Sequence, residues 1–186
     1  YWINEERFSC NSVSYRYRFD CGYKIYRPLE KDFKWSSNVD SQCLQGYNQL
    51  PKTGGEIFLT SSLKDVMCLE VLGYASFALQ SEMLMPKAKT IEEIKGRFEK
   101  VTVFYDNDYN NSNNPGQTMA KKICRKFNIK NVCIPSSYKS KDISDLVKNY
   151  SLKEAQNVIK NMERTSQEGL KDKVEADRSG RDQIPF

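Results

Sequence analysis

The sequence predicts an α/β fold: a mainly parallel four-stranded sheet flanked by helices, preceded by a small antiparallel β-rich subdomain. Three observations carry this. From residue 56 onward, short apolar runs alternate with amphipathic stretches of helical length, which implies crossover connections. Before that, residues 12–28 alternate aromatic and charged side chains with a period of two. The 186 residues are 39% hydrophobic and 12% aromatic, enough apolar material for a packed core.

In SVSYRYRFDCGYKIYRP, Tyr15, Tyr17 and Phe19 alternate with Arg16, Arg18 and Asp20, and Gly22 supplies a turn. This is a β-hairpin; Tyr23 and Ile25 fall on its buried face, Lys24 and Tyr26 on the other. Residues 29–55 are polar and turn-rich, which predicts irregular structure with short strands. The character changes at Glu56. IFLT is a buried strand. In SLKDVMCLEVLG, Leu63, Val66, Met67, Leu69 and Val71 have helical spacing, and Gly73 stops the helix. YASFAL is the second strand. TIEEIKGRFEK is an amphipathic helix in which Thr90 and Glu93 match a capping box. VTVFY is the third strand, and PGQTMAKKICRKF a helix opened by Pro115. NVCIP is the fourth strand. DISDLVKNY and LKEAQNVIKNMERT are two further helices. The last stretch, 166–186, has no stable period and reads as a polar tail. The chain thus divides into 1–55, 56–150, and a C-terminal helix and tail over 151–186.

The sequence has no histidine. That excludes Ser-His-Asp and Cys-His catalysis and every histidine-containing zinc site. Six cysteines form no C-x-x-C pair. They read as free thiols in a reducing cytoplasm, with no zinc. No apolar run reaches the ~18 residues of a membrane span. The start is not a signal peptide and lacks an initiator Met, so a cytoplasmic piece of a longer protein is expected. Lys+Arg number 29 and Asp+Glu 24, for a net charge of +5, which suits a nucleic-acid partner.

Chemistry concentrates at three strand ends. VTVFY runs into Asp106-Asn107-Asp108, and an extended D-x-D puts both carboxylates on one side. Such oxygen ligands suit Mg2+ or Mn2+. Asp142 and Asp145 follow the last strand and open the next helix, where either also suits capping and the helix dipole. Thr60, Ser61, Ser62 and Lys64 crowd the first strand–helix turn, as a phosphate site or as a plain N-cap.

Together these elements resemble the Toprim fold, and in detail the catalytic core of bacterial-type DNA primases. LKDVMCLEVLGY resembles the primase segment after its first acidic motif. VFYDNDYNNSNNPGQTMAKK resembles the D-x-D motif and its helix, with a longer loop before Gly116. KDISDLVKN resembles the late aspartate motif, and GYKIYRPLEKDFKWSSN with LQGYNQLP the basic lead-in. The likeness covers residues 12–150, and LTSSLKDVM…QSE looks most like bacteriophage-encoded primases. It implies RNA-primer synthesis on single-stranded DNA from ribonucleoside triphosphates, beside a replicative helicase. Asp106, Asp108 and Asp142 would carry catalysis and, with Asp145, hold two ions, which can stabilise both attacking and leaving oxygens. Lys24, Arg27, Lys34 and Lys64 would contact phosphates, with Trp35 stacking on bases and Ser61 and Ser62 at the nucleotide.

One departure stands out. The family ends its first strand with a glutamate followed by glycine; here Ser61 and Ser62 occupy those positions. Glu82, after the second strand, is the candidate substitute as a catalytic carboxylate. A metal-dependent nuclease, or a catalytically degenerate Toprim retained for binding, are the alternative readings.

Overall fold

The computed structural model of the chain describes residues 2–3, 6–7 and 13–162. Strands β1 (Trp2–Ile3) and β2 (Glu6–Arg7) form an antiparallel pair. Strands β3 (Tyr15–Phe19), β4 (Gly22–Tyr26) and β5 (Trp35–Ser37) form a three-stranded antiparallel sheet. Its register places Tyr15, Tyr26 and Trp35 in one cross-strand row. Ile25 faces inward, 2% exposed, on the face the alternation predicts.

The main sheet holds β6 (Gly54–Thr60), β7 (Ala75–Ala78), β8 (Phe98–Phe104) and β9 (Lys130–Val132) in the order β7-β6-β8-β9, all parallel. The chain steps from β6 to one side, then returns to place β8 on the other. That reversal opens a crevice at the carboxyl ends of β6 and β8, where open α/β sheets bind ligands. The helices are α1 (Leu63–Val71), α2 (Ala88–Arg97), α3 (Pro115–Phe127) and α4 (Ile143–Asn149), and residues 152–162 are also helical.

Both faces of the sheet are covered, which is why its strands read as continuous apolar runs. Ile57, Leu59, Phe77 and Val103 pack with Ile91, Ile94, Met119 and Ile123 of α2 and α3. On the other face Phe58 and Phe104 pack with Leu69, Ile143, Leu146, Val158 and Ile159. Each such aliphatic or aromatic side chain contributes about 1.5–3 kcal/mol by burial. Among the described residues no helix is long and apolar enough to cross a membrane.

The two sheets meet at a seam. Gln45 forms an antiparallel bridge with Ala78, at 2.8 and 3.0 Å. Gln80 Nε2 donates to the Cys43 carbonyl at 2.9 Å, and Lys24 Nζ to the Gln80 carbonyl at 2.9 Å.

Three expectations are corrected. Thr90 and Glu93 do not form a capping box: α2 starts after Lys87, so Thr90 lies inside its first turn. Glu93 instead accepts from the Tyr47 hydroxyl and pairs with Arg97 at 3.8 Å. The FEK segment belongs to β8, where Phe98 pairs with Gly54. Cys21 and Cys43 are not free thiols but a disulfide. The hairpin turn and the linker to the main sheet, distant in sequence, lie side by side there. Cys68, Cys124 and Cys133 are free. Cys10 and the 166–186 tail lie outside the described residues.

Candidate functional site

The site is assembled from three strand-to-helix turns. At the end of β6, Ser62 is extended and caps α1, accepting the Asp65 N–H; its hydroxyl donates to Asp65 Oδ2 at 2.6 Å. This turns Asp65 inward, on the same helix face as Leu69.

At the end of β8, Asp106 is fixed from several sides. Its N–H donates to Ser61 Oγ at 3.0 Å. The buried Gln117 amide donates to the carbonyls of Tyr105 and Asp106 at 2.9 and 3.1 Å. Gly116 lets α3 approach: a Cβ there would stand 2.6 Å from the Asp106 carbonyl oxygen. At the third turn Asp142 caps α4, accepting from Asp145 N–H at 2.7 Å and Ser144 Oγ at 2.6 Å. Asn107 N–H donates to the Lys141 carbonyl at 2.7 Å, joining the second and third turns.

The result is that carboxylate oxygens of Asp65, Asp106 and Asp142 lie within 4.8 Å of one another. Asp65 is 2% exposed and Asp142 6%. Lys64 pairs with Asp142 at 3.3 Å and Lys141 with Asp106 at 3.2 Å. These ammonium groups do not satisfy the cluster. Asp65 Oδ1 is buried with no hydrogen-bond partner. Burial, and then the charge of Asp142, push the Asp65 carboxyl up to about 7. Burial also raises Asp106, against the lowering effect of Ser61 and Lys141. Burial alone would lower Lys64 and Lys141, but Asp142 and Asp65 raise the first and Asp106 the second. An all-oxygen donor set with an orphaned buried carboxylate oxygen fits a hard divalent cation such as Mg2+ or Mn2+.

The triad lies in a pocket of about 520 Å³ whose opposite wall is the antiparallel sheet. Tyr17, Lys24, Tyr26, Lys34 and Trp35 form that wall. Tyr26 and Trp35 stack with ring centroids 4.2 Å apart. Lys24 Nζ sits 4.6 Å from the Trp35 ring, and Lys34 Nζ 5.9 Å from that of Tyr26. Trp35 remains 45% exposed even with Tyr26 and Lys24 against its ring. Ser61, Ser62, Lys64 and Glu82 line the floor and rim.

Not every candidate joins this pocket. Asp108 and Asp145 line a neighbouring pocket of about 400 Å³ with Lys139 and Lys141. The D-x-D carboxylates diverge because the chain has left the strand by Asp106, and same-side alternation holds only in extended backbone. Arg27 is turned inward, 3% exposed, and its guanidinium holds the β4–β5 connection through the Phe33 carbonyl and Ser36 Oγ. Lys24 is held by the Gln80 carbonyl and by burial, which lowers its pKa, so it acts as a strut across the seam. Asp65 was not among the acids singled out from the sequence. Its signal was a carboxylate on the apolar face of α1, one turn before Leu69.

The fold defines the class: a Toprim-type parallel sheet with an acidic centre at its switch point, joined to a small antiparallel sheet. Solved structures similar to this chain include catalytic cores of DnaG-type primases. A DnaG primase catalytic domain bound to single-stranded DNA is 15% identical with a TM-score of 0.54, covering 70% of this chain and 44% of that one. The Aquifex aeolicus primase, with its zinc-binding and RNA polymerase domains, is 16% identical with a TM-score of 0.55, covering 83% and 42%. The bacteriophage T7 gp4 primase domain, in complex with the T7 lagging-strand polymerase and an RNA/DNA hybrid, is 14% identical with a TM-score of 0.51, covering 80% and 74%. The chain therefore spans less than half the length of the first two. No protein-family description matches the sequence, and no curated protein does.

Proposed function

We propose that this chain is the catalytic core of a primase-type nucleotidyltransferase, making short RNA primers on single-stranded DNA. One observation carries the reading: the Asp65–Asp106–Asp142 cluster faces an aromatic and basic wall across a single pocket. Asp65, Asp106 and Asp142 would hold Mg2+ or Mn2+, with Asp108 and Asp145 as adjacent acids. The bound cation supplies neutralisation of the charge that develops on phosphate oxygens during nucleotidyl transfer.

The chain's own residues do the rest. Lys64 and Lys141, which pair with Asp142 and Asp106, would turn to triphosphate oxygens once a cation neutralises those acids. The exposed face of Trp35, backed by Tyr26, stacks a base, and Lys34 beside it meets the backbone of the template. None of these roles needs a histidine. A replicative helicase is the partner that would bring the template.

The test is incubation with single-stranded DNA, ribonucleoside triphosphates and Mg2+ or Mn2+, alongside Asp106→Ala. Metal-dependent oligoribonucleotides that disappear in the variant support the proposal. Template breakdown that disappears in the variant makes the protein a nuclease. Template binding without turnover, unchanged by Asp106→Ala, makes it a binding module and refutes both enzyme readings.

A further inference from the structure

We propose that Cys21 and Cys43 are a thiol–disulfide exchange site, at which a dithiol reductant loosens the aromatic wall from the main sheet. The exchange stands on its own geometry; its effect on the template rests on reading the facing pocket as a nucleotidyl-transfer centre. The bond joins the β3–β4 turn to the linker, 22 residues further on. A reductant can reach it. Cys21 is exposed and Cys43 half-buried, and both line an open pocket of about 410 Å³, separate from the acidic one. Arg18 lines that pocket too, and a guanidinium favours a thiolate. The acids there are already engaged: Asp20 accepts from Asn48 Nδ2, and Glu93 from the Tyr47 hydroxyl. Exposed disulfides are the labile and regulatory ones.

The bond also sits where the two sheets are fastened. The Cys43 carbonyl accepts from Gln80 Nε2 at 2.9 Å, and the Gln80 carbonyl from Lys24 Nζ at 2.9 Å. Lys24 in turn stands 4.6 Å from the Trp35 ring. Two residues past Cys43, Gln45 exchanges both backbone hydrogen bonds with Ala78. One covalent link thus ties the hairpin turn to the segment that grips β7. After reduction, turn and linker keep hydrogen bonds such as Asn48 to Asp20, which is exposed to water and contributes little net. In the exchange, a thiolate of the reductant attacks Cys21 Sγ, the exposed sulfur, and the bond to Cys43 breaks. Cys43 leaves as a thiolate and takes a proton. The reductant's second thiol then displaces Cys21, which is protonated likewise. The protein gains two electrons and two protons, and the dithiol becomes a disulfide.

The test is native-state reduction of the wild type by dithiothreitol, read by alkylation with peptide mass spectrometry and by hydrogen exchange on both forms. Cys21 and Cys43 should become alkylated together while the protein stays folded. The Gln45 and Ala78 amides, which bridge the seam, should exchange about tenfold faster or more, with the buried Val103 amide of β8 unchanged. Reoxidation should reverse both changes. Cys21→Ser/Cys43→Ser should exchange like the reduced protein and ignore dithiothreitol. A pair that reacts only when the protein unfolds, or that is alkylated before any reductant is added, overturns the proposal. Equal acceleration at Val103 also overturns it, because the bond would then be a staple of the whole fold. Affinity for single-stranded DNA, followed by anisotropy, should fall severalfold on reduction as the wall loses its fixed position. A seam that opens with DNA affinity unchanged overturns the wall as a template surface and leaves the exchange site standing. A seam indifferent to reduction, in a protein that makes primers, overturns only the exchange site.

Discussion

Replacing Asp65 by asparagine should stabilise the metal-free protein above neutral pH and leave it nearly unchanged in acid. Asp65 is fully enclosed, one of its oxygens has no partner, and Asp142 lies beside it. Its carboxyl is raised from the usual 3.8 to about 7, so the folded chain holds this proton more tightly than the unfolded chain does. As pH rises through about 4, the unfolded state releases the proton first. Stability is therefore fully present below that pH, falls between about 4 and 7, and is level above. At about 1.4 kcal/mol per tenfold, this gap has a ceiling of about 4 kcal/mol. Coupling to Asp142 spreads the effect over the pair, so roughly 2–4 kcal/mol is expected for Asp65. For a chain of this length that is roughly 4–16 °C in Tm. The assay is thermal unfolding in EDTA at about pH 5 and about pH 8, comparing wild type with Asp65→Asn. The variant's advantage should be clearly larger at the higher pH, roughly a third of it being already present at about pH 5, and added Mg2+ should erase that advantage by stabilising the wild type. Parallel pH dependence in the two proteins refutes the reasoning, because Asp65 would then not be the strained group.

Other outcomes follow from the same geometry. Gly116→Ala should keep the fold, at a cost of about 1–3 kcal/mol, yet push the Asp106 backbone out of place; circular dichroism should be unchanged while Mn2+ affinity falls. Trp35→Ala should weaken single-stranded DNA binding by about 1–3 kcal/mol without changing its salt dependence. Lys34→Ala should lower the salt slope by about 0.7, and anisotropy titrations over a salt series distinguish the two. Ser62→Ala removes the α1 cap and should cost about 1 kcal/mol in urea unfolding.

The sheet and its helices were legible because parallel strands buried on both faces leave uninterrupted apolar runs, such as Ile57–Thr60 and Val101–Phe104. Asp106 and Asp142 were legible because each follows directly on such a run or opens a helix after it. Asp65 was less so: it stands where a first-turn acid is ordinary, and its one signal, a place on the apolar face of α1 a turn before Leu69, is weaker than that of a strand end. The separation of Asp108 from Asp106 depends on where the backbone stops being extended, which periodicity does not specify. Arg27 carried the right charge for a phosphate contact, but it shares a strand face with Ile25, and that alternation puts it inside. The Cys21–Cys43 pairing joins residues 22 apart in sequence through a contact between the hairpin turn and the linker, beyond the reach of any local pattern.

The Gln45–Ala78 bridge has a consequence for solubility. β7 is the outermost strand of the main sheet, and its far edge would otherwise offer free N–H and C=O groups to any passing chain. Gln45 occupies that edge with two backbone hydrogen bonds, and its side-chain amide takes the Leu79 carbonyl as well. The linker is thus a guard against self-association as much as a connection. A version trimmed to begin at Glu56 should retain its parallel sheet but aggregate through Ala75–Ala78, whereas one that keeps residues 43–45 in place should remain dispersed.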